Sequence, residues 1–124
     1  MSVPILKQGD VLIASIQAAL SDRELAQLHD AFAEQVGRFR SRGVIIDVTA
    51  LDVLDSFATR TLRSIAYTAK LRGANAVVVG IQPDVAFAMV QLGLSLEGVA
   101  TALDLEEGLA YIRDVAKRGS HRVR

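Results

Sequence analysis

The side chains able to do chemistry concentrate between Asp47 and Arg63. Asp47, Asp52 and Asp55 come first, at or just after a β-branched run. Carboxylates at the end of a parallel strand lie where α/β sheets place ligand sites, and three of them could hold Mg²⁺ for phosphoryl chemistry. The plainer assignment is one strand-end residue, one turn residue and one helix cap. No Lys or Thr partner set completes a phosphotransfer centre, so the plainer assignment is preferred. His29 and His121 are the two histidines, and there is no cysteine. A Ser-His-Asp arrangement would need His29 to reach Ser56, which lacks the Gly-x-Ser-x-Gly elbow. Gly-x-Gly-x-x-Gly and the Walker pattern are both missing. The expectation is therefore a protein with no catalytic set, no metal and no cofactor.

Ser56 carries the most information. Within Asp55-Ser56-Phe57-Ala58-Thr59-Arg60-Thr61-Leu62-Arg63, either Asp55 or Ser56 is a natural helix cap. Capping alone would account for the serine. The same position also suits regulation, because backbone N–H groups and the positive dipole end favour an anion there. Ser56, Thr59 or Arg60, and Arg63 fall on one stripe at helical spacing, opposite the apolar face. A phosphate would add about two negative charges beside two arginines and three carboxylates. A kinase or partner could read such a stripe.

The elements that must position this segment follow from periodicity. Ile5 to Lys7 and Val11 to Ile16 flank Gln8-Gly9-Asp10 and predict a hairpin. Ser21 and Glu24 form a capping box for a helix running to about Arg40, with Leu25, Leu28, Phe32 and Val36 on one face. Val44 to Val48 reads as a strand covered on both sides. Thr49 to Asp55 is a loop, and a helix runs from Ser56 to about Leu71 with Ala58, Leu62, Ile65 and Ala69 inward. Ala76 to Gly80 is the next buried strand. Pro83 opens a third helix, with Val85, Met89 and Leu92 facing in. A short strand lies around Val99 to Ala102. Asp104 caps a last helix whose inner face is Leu109, Ile112 and Val115. The order ββαβαβαβα predicts an α/β fold with a mixed, mostly parallel sheet of about five strands and about four helices. Residues 1–116 form one domain, and the basic stretch 117–124 reads as frayed or disordered.

Composition narrows the class further. The chain has 124 residues, 51% of them hydrophobic, enough for a sizeable core without a staple. Fourteen basic residues balance fourteen acidic ones, so no global field steers it to nucleic acid or acidic membranes. Four Phe, two Tyr and no Trp leave little for base stacking. The apolar runs are too short to span a bilayer, and the N-terminus has no signal-peptide pattern. A cytoplasmic protein that works by binding other proteins, without nucleic-acid or membrane partners, is expected.

Beyond these readings, the chain resembles the STAS domain family over nearly its whole length, and within it the RsbS-type scaffolds of the bacterial stressosome. The carriers are Val44-Ile45-Ile46-Asp47-Val48-Thr49, the loop Ala50 to Leu54, and Asp55-Ser56-Phe57-Ala58-Thr59-Arg60. Gly80-Ile81-Gln82-Pro83-Asp84-Val85-Ala86, Met89-Val90-Gln91-Leu92-Gly93-Leu94 and Ala100-Thr101-Ala102-Leu103 extend it. Many STAS antagonists that act alone carry a second small residue and Gly after the serine; Phe57-Ala58 here departs from that and tilts towards the scaffolds. The resemblance implies Ser56 as phosphoacceptor; Phe57, Thr59, Arg60 and Arg63 beside it are the expected partner-binding residues. It implies large assemblies with an RsbR-type paralogue, an RsbT-type serine kinase that the scaffold sequesters and then releases on phosphorylation, and an RsbX-type phosphatase. The alternative it leaves open is an anti-anti-sigma factor that binds an anti-sigma kinase under the same serine control. A STAS subunit of a membrane lipid transporter and an Asp-centred phosphotransfer enzyme rank below both.

Overall fold

In a computed structural model describing residues 3–122, the chain forms β1 (Ile5–Gln8), β2 (Val11–Ser15), α1 (Asp22–Phe39), β3 (Gly43–Asp47), α2 (Ser56–Leu71), β4 (Asn75–Val79), α3 (Pro83–Gln91), β5 (Ala100–Ala102) and α4 (Leu105–Arg122). This is the expected ββαβαβαβα order. The strands lie side by side in chain order, with β1 antiparallel to β2 and every later pair parallel. Gly9 turns the hairpin with a φ of 61°, between the paired residues Gln8 and Val11.

Strand alternation divides the apolar residues between two layers. Leu12, Ala14, Val44, Ile46, Ala76 and Val78 face α1 and α2, against Leu28, Phe32, Val36, Leu62 and Ile65. Val11, Ile13, Ile45, Val77 and Val79 face the other way, against Ile112 of α4. Covering both sides explains why β3 and β4 are continuously apolar rather than alternating. Each large side chain buried this way contributes roughly 1.5–3 kcal/mol. Gly108 lets α4 sit close to the sheet, since a Cβ there would meet Val79 Cγ1 at 2.8 Å.

Two expected boundaries shift. Leu92 is 71% exposed rather than inward. Helix α3 ends at Gln91, and Gly93 adopts a φ of 70°. The Gly93 and Leu94 N–H groups then donate to the Val90 and Met89 carbonyls, at 3.2 Å and 2.9 Å. That left-handed C-terminal motif turns Leu94, not Leu92, back onto the core. At the C-terminus the backbone is helical as far as Arg122, beyond the expected limit at residue 116. Residues 1–2 and 123–124, and the side chains of residues 119–122, His121 among them, lie outside the described part.

Candidate functional site: the start of helix α2

The sheet delivers the chemistry-bearing segment at the C-terminal end of β3. Asp47 closes that strand, and its Oδ1 accepts from the Thr49 N–H at 2.9 Å and from Thr49 Oγ1 at 2.6 Å. Gln82, at the start of α3, donates Nε2 to the Thr49 carbonyl at 2.6 Å. Gly80 makes this junction possible. Its φ is 82°, and a Cβ there would strike Thr49 Oγ1. Leu51 and Leu54 then drive the loop into the core, at 7% and 5% exposure, leaving Asp52 and Val53 outside.

Asp55, not Ser56, caps α2. Its backbone is extended (φ −79°, ψ −179°) and its Oδ1 accepts from the Ala58 N–H at 2.8 Å. Asp55 also offers its carbonyl to the Thr59 N–H at 2.9 Å and to Thr59 Oγ1 at 2.8 Å. Ser56 is thereby the first helical residue. It is exposed, and its hydroxyl makes no hydrogen bond among the described residues. The question that the sequence left open, which residue caps, is settled in favour of the aspartate. The serine hydroxyl is left free for other chemistry.

The expected stripe is only partly present. Thr59 is 2% exposed, so its side chain cannot meet a partner. Its hydroxyl is satisfied by the Asp55 carbonyl, which is what lets a polar residue sit on the core side. Arg63 is half-buried and donates Nη1 to the Ser95 carbonyl at 3.3 Å, pinning α2 to the loop after α3. Arg60 is exposed, and its guanidinium carbon lies 6.0 Å from the centre of the Phe57 ring. Phe57 is half-buried and lines a shallow groove with Ala26, His29 and Asp30 of α1 and Thr61 and Ser64 of α2. The structure thus brings together Ser56, Phe57 and Arg60, and turns Thr59 and Arg63 to other tasks.

The catalytic alternatives are also placed. His29 does not reach for Ser56: its Nδ1 meets Asp30 Oδ1 at 3.2 Å and its Nε2 meets Thr68 Oγ1 at 3.0 Å. Thr68 lies about three turns along α2 from Ser56. Asp47 holds a turn, Asp55 holds a cap, and Asp52 stands exposed between them. Among the described residues no group of three His, Asp or Glu gathers as a metal site.

One feature escaped the sequence reading. Ile16, Leu20, Leu25, Leu54 and Ala58 line a small apolar pocket beside the cap. Val53 at its rim is 67% exposed, and the lining comes from residues far apart in the chain, so no local pattern announces the pocket.

With this geometry in place, the family assignment is direct. The STAS domain model matches residues 2–108. The chain belongs to the STAS domain family. RsbS from Moorella thermoacetica, in a variant with a serine replaced by glutamate, is 36% identical, with 93% of this chain and 97% of that one aligned at a TM-score of 0.79. A chain from a structure described as the molecular architecture of the stressosome, a signal integration and transduction hub, is 35% identical, covering 91% and 98% at 0.73. Among curated proteins, the RsbT co-antagonist protein RsbRA of Bacillus subtilis is 23% identical over 119 residues. The chain spans 95% of its own length in that match but 43% of RsbRA. Among the described residues no helix is long and apolar enough to cross a membrane.

Proposed function

We propose that this STAS domain is a stressosome scaffold that sequesters a serine/threonine switch kinase of the RsbT type and releases it when Ser56 is phosphorylated. The likeness to RsbS over nearly the full length of both chains carries the reading. The local geometry supports it, because the Ser56 hydroxyl is exposed and has no structural duty. RsbR-type proteins, which share the domain within a longer chain, are the paralogues with which it assembles. An RsbX-type phosphatase resets Ser56, and the setting is cytoplasmic. Phe57 and Arg60 form the contact surface beside the acceptor.

Incubation with the cognate RsbT-type kinase and ATP, followed by mass spectrometry, tests this. One phosphate on Ser56 is expected, together with kinase that co-sediments before labelling and separates after it. An unmodified Ser56 after prolonged exposure to active kinase would overturn the proposal. Large assemblies with an RsbR-type paralogue are expected in sedimentation. Capture of an anti-sigma kinase, with no paralogue, would move the domain to the anti-anti-sigma factors.

A further inference from the structure

We propose that Arg60 is the counter-charge for a phosphate on Ser56, and that it leaves the Phe57 ring to take up that role. This rests on the reading of Ser56 as the modified residue, and adds how the modification is registered within the domain.

Four observations converge. First, the helix end is already capped by Asp55, so the Ser56 side chain is not committed to the backbone. Second, Arg60 stands one turn from Ser56, and residues four apart on a helix are surface neighbours. Helical side chains lean towards the N-terminus. The Arg60 guanidinium does so, lying over Phe57 in the same first turn as Ser56. Third, among the described residues Arg60 has no carboxylate within ion-pair distance; the pairs found are His29 with Asp30 and Arg42 with Asp10. Fourth, Arg63 is committed elsewhere, to the Ser95 carbonyl. Of the two arginines in the sequence stripe, one is therefore free to answer a new charge.

The competition is one-sided. At 6.0 Å the guanidinium is at the outer reach of a cation–π contact with Phe57. A phosphoserine offers about 1.5–2 negative charges and three acceptor oxygens. An arginine–phosphate contact is charge-assisted and adds fork geometry. Arg60 consequently turns from ring to phosphate, and Phe57 loses its cationic cover. The ring lines the groove between α1 and α2, so one modification changes both the charge of the helix start and the face of that groove. Asp55 directly precedes Ser56 and Asp52 lies four residues before it on the loop, while His29 and Asp30 of α1 line the groove with Phe57 and Arg60. The aspartates oppose the phosphate dianion, which makes the single arginine the deciding partner.

The test installs phosphoserine at position 56 during synthesis, so that no kinase is involved. Phosphorus NMR then follows the second phosphate ionisation, ordinarily near pH 6. R60A is expected to raise that ionisation by roughly 0.3 pH units or more, R60K to raise it by less, and R63A to leave it in place. Phe57 ring signals are expected to move with the phosphate titration in the parent protein and to stay still in R60A. An R60A titration that overlays the parent, or an R63A shift as large as that of R60A, overturns the proposal. Ring signals that ignore the phosphate in the parent overturn the movement of Arg60. Failure of a kinase to label Ser56 would instead sink the proposed function and leave this result untouched.

Discussion

Helices α1 and α2 begin with the same ingredients, a serine and an acidic residue, arranged to opposite effect. At α1 the serine is the cap. Ser21 Oγ accepts from the Glu24 N–H at 3.1 Å, and Glu24 Oε1 accepts from the Ser21 N–H at 2.9 Å. Both side chains are consumed in a reciprocal lock. At α2 the aspartate caps, and the serine sits one residue further in with its hydroxyl unused. A serine that holds the fold cannot also be modified without loosening a helix, whereas a serine displaced by one position can. That one-residue offset separates a structural serine from one able to act as a switch.

The largest effect that would break this contrast concerns labelling. Ser56→Ala is expected to abolish phosphorylation by the cognate kinase, while Ser21→Ala leaves it intact. Stoichiometric labelling of the Ser56→Ala protein, read by mass spectrometry, would put the switch elsewhere.

Stability should run the other way. Ser21→Ala and Asp55→Ala each remove a cap and are expected to cost about 1 kcal/mol, within a range of roughly 0.5–2. Ser56→Ala removes no hydrogen bond and should stay within about 0.5 kcal/mol of the parent. Urea denaturation of the three variants gives the ranking directly. A Ser56→Ala loss equal to that of Asp55→Ala would mean that the serine hydroxyl shares the capping.

Thr59 shows where the contrast was hidden from the sequence. Its spacing from Ser56 and Arg63 is consistent with an outer stripe. Periodicity weighs only apolarity, and cannot see that a threonine hydroxyl bonded to the carbonyl four residues back is comfortable inside. Arg63 escaped for a related reason: its partner, the Ser95 carbonyl, is thirty-two residues away and belongs to an irregular loop. Leu92 continues the spacing of Val85 and Met89 but stands one residue past the last helical position, Gln91, and so leaves the inner face. By contrast, the order of elements along the chain, the two buried strands, the capping box and the position of Ser56 are legible in the sequence. Each is a local signal: β-branched runs, a Ser-x-x-Glu pair, a Pro, a Gly. What stayed illegible depends on which backbone carbonyl a side chain finds in three dimensions. Thr59→Val measures one such case. Loss of the 2.8 Å bond to Asp55 should cost about 1 kcal/mol or less, because the Thr59 N–H still occupies that carbonyl. A Thr59→Val protein that also lost kinase binding with its stability unchanged would return Thr59 to the partner surface.

The smallest expected effect belongs to the lock at α1. Hydrogen bonds from the Ser21 backbone and side chain hold the Glu24 carboxyl below its ordinary range. A carboxylate depressed in the folded state contributes stability above its unfolded value and loses it as pH falls through the lowered folded value. Glu24→Gln keeps an acceptor for the Ser21 N–H but has no charge to titrate. The parent's advantage over Glu24→Gln should therefore be present at neutral pH and fade in acid, in denaturation curves collected down the pH scale. An advantage that instead grew as the carboxyl became protonated would mean that the charge on Glu24 strains the box, and that Ser21 alone caps α1 much as Asp55 alone caps α2.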